Sequence, residues 1–190
     1  MSLAHKWLEQ EPWPTKALPK KQLEERVERA LTLANLGYLG TVRKDGSPSV
    51  SPVEYYAEFT DGAPTLYVFA QPRSPKVYAI QRDPRVTFAV AQPLAGWASV
   101  MGVQLFGRGR FIQPHTPEWQ RGMLIYKWPA SSFELGKITT TPPPGPLLLI
   151  EVDRIVYTEH YLRKQGYAPR QIWRRDVGDI SVVPGGNSPI

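Results

Sequence analysis

The 190-residue chain has no cysteine, only three histidines and no long apolar run. The missing cysteines exclude disulfides, thiolate metal sites and cysteine nucleophiles together. His5, His115 and His160 are far apart and lack ligand spacing, so neither a metal site nor a histidine-based triad is read. No Gly-rich phosphate loop ending in Lys-Ser or Lys-Thr, no HExxH and no GxSxG elbow occurs, which argues against three large enzyme classes. Glu9, Glu11 and Pro12 interrupt the first residues, and no window approaches the ~20 apolar residues of a membrane span. The expectation is a soluble, cytoplasmic protein.

The composition is that of an ordinary globular domain, with 42% apolar and 21% charged residues. A chain of this length buries roughly 70% of its unfolded surface and folds without a metal or a disulfide. The net charge of +6 leaves two readings open. One is a partner carrying phosphate, such as a cofactor, nucleic acid or anionic lipid; the other is a basic surface with no partner.

Residues 1–19 read as an extended arm, residues 20–176 as one domain and residues 177–190 as a flexible tail. Leu23, Val27, Ala30, Leu31 and Ala34 recur at helical spacing, with Glu24, Glu25, Glu28 and Arg29 opposite and Gly37 as a C-cap. Strands are expected at Tyr38–Arg43, Val50–Phe59 and Thr65–Ala70, joined by Lys44-Asp45-Gly46 and Asp61-Gly62 into an antiparallel meander. Ser74 then caps a short helix that Pro75 opens and Pro84 ends. Further strands are read at Val86–Ala91, Ser99–Ile112, Leu147–Thr158 and Ile172–Arg175, with a bend or bulge at Gly107 and Gly109. Glu118–Tyr126 reads as a helix and Thr139–Pro146 as a loop. This pattern is mainly β with flanking helices; it predicts an antiparallel barrel, closed or partly closed, with a sandwich as the competitor.

Chemistry concentrates in Arg73 to Lys76. A helix start presents free N–H groups and the positive end of a dipole, Ser74 adds a hydroxyl, and Arg73 and Lys76 add charge. Read locally, this is first a capped helix with solvated cations, since capping signals are common, and second a phosphate site. Tyr161, Arg163, Lys164, Tyr167 and Arg170 raise a rival of another class, a basic nucleic-acid-binding module.

The order of three segments resembles a known family. LGYLGTVRKDGSPSVSPVEYY, SPKVYAIQRDPRVTFAV and WASVMGVQLFGRGRF are similar to the opening hairpin, the Ser-x-Lys and Asp-Pro-Arg-Val run and the Gly-x-Gly strand of the pyridoxamine 5'-phosphate oxidase-like flavoproteins. The resemblance implies a split β-barrel homodimer that holds FMN in clefts between subunits and performs oxidoreductase chemistry through the flavin. It further implies that Ser51, Pro52 and Val53 line the flavin and that Phe69 and Ala70 flank it. Ser74 and Lys76, with Arg73 nearby, would hold the phosphate, while Gln104 and Trp173 reach the other subunit's cofactor. No catalytic side chain is implied. One departure matters: no histidine follows His160, so the Arg-x-His element of the true oxidases is missing, which argues against pyridoxal phosphate synthesis. Deazaflavin- and heme-binding relatives keep the cofactor choice open.

Overall fold

A computed structural model describes residues 13–60, 62–92, 100–127, 136, 142 and 145–183. Most of the expected arm, the residue at which the 99–112 strand begins, most of the 139–146 loop and the end of the tail lie outside these residues.

Helix α1 (Lys20–Thr32) leads into β1 (Leu36–Val42), β2 (Pro48–Glu54), β3 (Tyr56–Thr60) and β4 (Ala63–Phe69). Helix α2 (Pro75–Arg82) precedes β5 (Arg85–Ala91) and β6 (Met101–Ile112). Helix α3 (Pro117–Ile125), β7 (Leu147–Glu159), a 3-10 turn (His160–Gln165), β8 (Arg170–Arg174) and β9 (Ile180–Val182) complete the described elements.

The sheet runs β2-β1-β5-β6-β7-β4-β3, with β8 beside β7 and β9 beside β8, and its pairings are antiparallel. No ladder joins β2 to β3 among the described residues, so the sheet is open within one chain. The fold is thus mainly antiparallel β with few helices. Along β7, Leu147–Glu151 pair with β4, whereas Arg154–Thr158 pair with β8. The β6–β7 register shifts between Phe106 and Gly107, where the glycine expectation placed an irregularity. A Cβ at Gly107 would run into the Glu151 carbonyl, so only glycine fits the close approach.

Leu23, Val27, Ala30 and Leu31 of α1 are buried against the sheet. Leu23, Val27 and Leu31 each contribute about 1.5–3 kcal/mol relative to exposure. Ala34 lies beyond the helix and is exposed, which ends the expected stripe one turn earlier.

Three further sequence expectations are corrected. Gly37 is not a C-cap, since Leu33 takes that position; Gly37 sits within β1, where a side chain would collide with the Phe88 ring. The expected strand Val50–Phe59 divides at Tyr55, so the three-strand meander does not form. Tyr55 is 1% exposed; its N–H donates to the Asn35 carbonyl and its hydroxyl to the Leu31 carbonyl, each at 2.8 Å. Held under the end of α1, Tyr55 lets β2 pair with β1 and β3 with β4. Finally, the segment after Gly178 is not wholly irregular, because Ile180–Val182 pair with β8.

Candidate functional site

The β1–β2 register sets Thr41 opposite Ser49 and Leu39 opposite Ser51. Period-two alternation therefore puts both serines on the half-buried face, with Val50 and Pro52 on the exposed one. Across from this face lies α2, and between them opens a cleft of about 580 Å3. Thr41, Ser49 and Ser51 form the strand wall; Pro75, Tyr78, Ala79 and Arg82 form the helix wall. Those four positions follow the i, i+3, i+4, i+7 rule of a single helix face. The volume lies in the range of small-molecule pockets.

The cleft is strongly cationic. Arg43, Lys44, Lys76 and Arg82 line it, and its lining contains no carboxylate. The salt bridges among the described residues use none of these four, nor Arg73. Arg82 donates to the Val42 carbonyl at 2.7 Å, which ties the end of α2 to β1. Asp45, in the β1–β2 turn, accepts from the Ser47 hydroxyl at 2.6 Å and backbone N–H at 3.0 Å. Those bonds hold its carboxyl below the usual range and commit it to the turn.

The start of α2 carries two unusual features. Ser74 occupies the N-cap position, yet its side chain makes no capping bond, and its Oγ is buried without a partner. A buried, unsatisfied hydroxyl costs about 1–3 kcal/mol, and an anion at the helix start would satisfy it. Arg73 has φ 65°, the left-handed region, which costs a non-glycine residue about 1–2 kcal/mol. The first turn of α2 has no acidic residue to complement the helix dipole. A hydroxyl, a half-buried ammonium and a positive dipole end make a donor set suited to phosphate rather than to a metal ion.

The residues implied by the family resemblance divide by position. Ser51 and Lys76 line the cleft, and Arg73 and Ser74 immediately precede Pro75 in its wall. Pro52 faces outward beside Ser51, while Val53 packs against the main core. Phe69 packs instead in a second apolar cluster, 6.1 Å from the Tyr126 ring, and Ala70 is buried with its N–H donating to the Pro146 carbonyl. Gln104 is exposed on β6, between Ala89 and Val156. Trp173 is buried in its own chain's core, under α1. Thr41, Arg43, Lys44, Ser49, Tyr78 and Arg82 were not read from the sequence. The Ser-x-Ser alternation of β2 and the helical spacing from Pro75 were the available signals.

Of the rival basic module, Tyr161, Arg163 and Lys164 lie on the 3-10 turn, Arg170 at the start of β8 and Tyr167 between the two. Several of them engage the chain itself: Lys164 lies over Tyr161, Lys16 over Tyr167 and Arg163 over Trp13. Burial, then Arg163 and Arg170, push the His160 imidazole below its ordinary value, which favours the neutral ring. Neither His115 nor His160 lines the cleft. Among the described residues, no group of three metal-ligating side chains occurs, and no helix is long and apolar enough to cross a membrane.

Known proteins place this architecture. Solved structures similar to the chain include a heme binding protein from Mycobacterium smegmatis, 19% identical with a TM-score of 0.57. The match covers 84% of this chain and 59% of that one, so the chain spans well under two thirds of that relative. General Stress Protein 26 from Bacillus anthracis is 20% identical, with a TM-score of 0.55 over 72% of this chain and 93% of that one. An FAD-binding protein from Mesorhizobium loti is 23% identical, with a TM-score of 0.51 over 67% and 88%. At these identities the likeness concerns the fold. No curated protein matches the chain. The family model described as pyridoxamine 5'-phosphate oxidase matches residues 23–159, which take in both walls of the cleft. The chain belongs to the pyridoxamine 5'-phosphate oxidase-like family.

Proposed function

We propose that the protein is an FMN-dependent oxidoreductase whose cofactor phosphate sits at the start of α2. The observation that carries this reading is the buried, unpartnered Ser74 Oγ at the start of α2, next in sequence to Pro75 and Lys76, which line a cleft rich in cations and free of carboxylates. Lys76 supplies charge-assisted hydrogen bonds to the phosphate, and the Ser74 hydroxyl supplies a further donor. Ser49 and Ser51 offer hydroxyls along the strand wall. Bound flavin supplies the hydride or electron transfer, while the chain binds and orients it. No side chain is assigned a catalytic role.

The cofactor site is shared between two subunits in this reading. Leu36, Tyr38 and Val50 are 56–65% exposed on the face of β1 and β2 turned away from the cleft, and a second copy would cover them. Light scattering should give twice the chain's 21.5 kDa; a monomer that binds FMN tightly would remove the shared site. A cysteine-free chain fits a cytoplasmic location.

Heme is the second reading, favoured by the likeness to the Mycobacterium smegmatis protein. Against it, no histidine lines the cleft, whose donors suit phosphate better than iron. Titration of the protein with FMN, a deazaflavin and heme decides among them. Saturable quenching of flavin fluorescence by FMN supports the proposal. Binding of heme or deazaflavin with no binding of FMN rejects it.

A further inference from the structure

The α2 cleft carries more positive charge than one phosphate uses. Arg43, Lys44, Lys76 and Arg82 line it with no carboxylate, whereas a phosphate monoester carries about −1.5 to −2. These cations also stand at two ends. Lys76 lies in the first turn of α2, and Arg82 ends the helix six positions later, about 9 Å along its axis. Arg82 donates to the Val42 carbonyl at 2.7 Å, which brings the end of α2 to the β1–β2 turn that carries Arg43 and Lys44.

That turn is closed by its own backbone. The Arg43 N–H donates to the Ser47 carbonyl at 2.8 Å, and the Gly46 N–H to the Arg43 carbonyl at 3.0 Å. Asp45, the carboxylate within the turn, does not line the cleft; both of its hydrogen bonds come from Ser47, and Arg43 is the least of the influences on it. Thr41 and Ser49, paired across β1 and β2, add hydroxyls to the wall at this end. Like charges gathered at one end of a cleft repel one another, and an oxyanion among them relieves that repulsion. We propose that the Arg43, Lys44 and Arg82 end is a second anion subsite, filled together with the Lys76 end, and that it takes a phosphate or carboxylate group. The proposal rests on the phosphate reading only for what fills the Lys76 end.

The test uses the full chain at fixed ionic strength, with inorganic phosphate as the probe. Phosphate is titrated calorimetrically into protein saturated with FMN, and one ion should bind saturably per chain. Arg43→Gln/Lys44→Gln changes two exposed turn residues. It should weaken phosphate binding by about 10-fold, the lower end for one charge-assisted hydrogen bond, and FMN binding by less. FAD, whose second phosphate extends past the first, identifies the source of the group. If FAD excludes the ion, the subsite serves an anionic extension of the cofactor; if the ion still binds, it serves a separate anionic ligand. Either result upholds the subsite. Should FMN not bind, the apoprotein decides. Two phosphates per chain, one lost in Lys76→Ala and the other in the double variant, uphold the subsite while the flavin reading fails. A single phosphate per chain that FMN displaces, a response that never saturates, or equal losses of phosphate and FMN binding in the double variant overturn the proposal.

Discussion

The basic residues around α3 and those around α2 live under different rules. Near α3, Arg110 pairs with Glu118 at 2.5 Å and with Glu151 at 3.3 Å, and Arg121 pairs with Glu58. Glu58 also accepts from the Tyr67 hydroxyl at 3.1 Å. Both of these arginines have a carboxylate supplied by the same chain. Around the α2 cleft, Arg43, Lys44, Arg73 and Lys76 have none in the salt bridges of the described residues, and a buried serine hydroxyl is unpartnered beside them. A net charge of +6 could not distinguish a binding site from a basic surface. Its distribution sets the two regions apart, because Arg110 and Arg121 are paired within the chain while Arg43, Lys44 and Lys76 line one cleft that has no carboxylate.

The sharpest way to break this contrast is Lys76→Ala. A hydrogen bond to a charged group contributes about 1.5–3 kcal/mol, so FMN affinity should fall about 10- to 150-fold. Riboflavin, which lacks the phosphate, should lose little. Titrating both ligands against wild type and variant checks this, and equal losses would withdraw the phosphate role.

Ser74→Ala should weaken FMN by about 2- to 13-fold, the range for one neutral hydrogen bond. Apoprotein melting should stay level or rise, because the variant removes a buried hydroxyl that lacks a partner. A drop in apoprotein stability would mean that the hydroxyl already serves the fold.

On the other side of the contrast, Arg110→Ala should leave FMN affinity unchanged and lower stability by about 1 kcal/mol or less, since the pair is half exposed. Denaturant midpoints and the same titrations measure both quantities. A clear loss of FMN affinity would erase the distinction between the two regions.

The smallest effect concerns Asp83, just beyond α2. Hydrogen bonds from Arg85 lower its carboxyl from the ordinary 3.8 to about 2. A carboxyl depressed in the folded state contributes stability above its unfolded pKa and loses it as pH falls through the folded one. The stability difference between wild type and Asp83→Asn should therefore be constant above about pH 5 and disappear towards pH 2. Acid unfolding curves of the two proteins should converge in that window.

Local pattern made much of the fold legible. The apolar spacing of α1, the Ser-Pro start of α2 and the glycines of β6 were each read from neighbouring residues. What failed depended on contacts distant in sequence. Tyr55 divides a strand because α1 takes its hydroxyl, 24 residues away. Gly37 is a glycine because Phe88 crosses it, which no cap rule anticipates. For the site, the helix start was visible but the strand wall only in part. Arg43 looked like the end of a strand and Lys44 like an ordinary turn residue until the hairpin folded against α2. Phe69 packs partly buried against the second apolar cluster and Trp173 lies within the main one, contacts that the local sequence of neither residue announces.

The connection that carries α2 joins β4 to β5, yet β6 and β7 lie between those strands in the sheet. The β1–β2 and β3–β4 hairpins are local, whereas β4 finds its sheet neighbour β7 some eighty residues along the chain. The two walls of the cleft, joined by the Arg82–Val42 bond 40 residues apart, meet only once the chain loop between them has closed. A ligand of this cleft has nothing to grasp before those walls meet. Adding it during refolding should leave the folding rate unchanged, slow unfolding and raise the melting temperature in proportion to the logarithm of its excess.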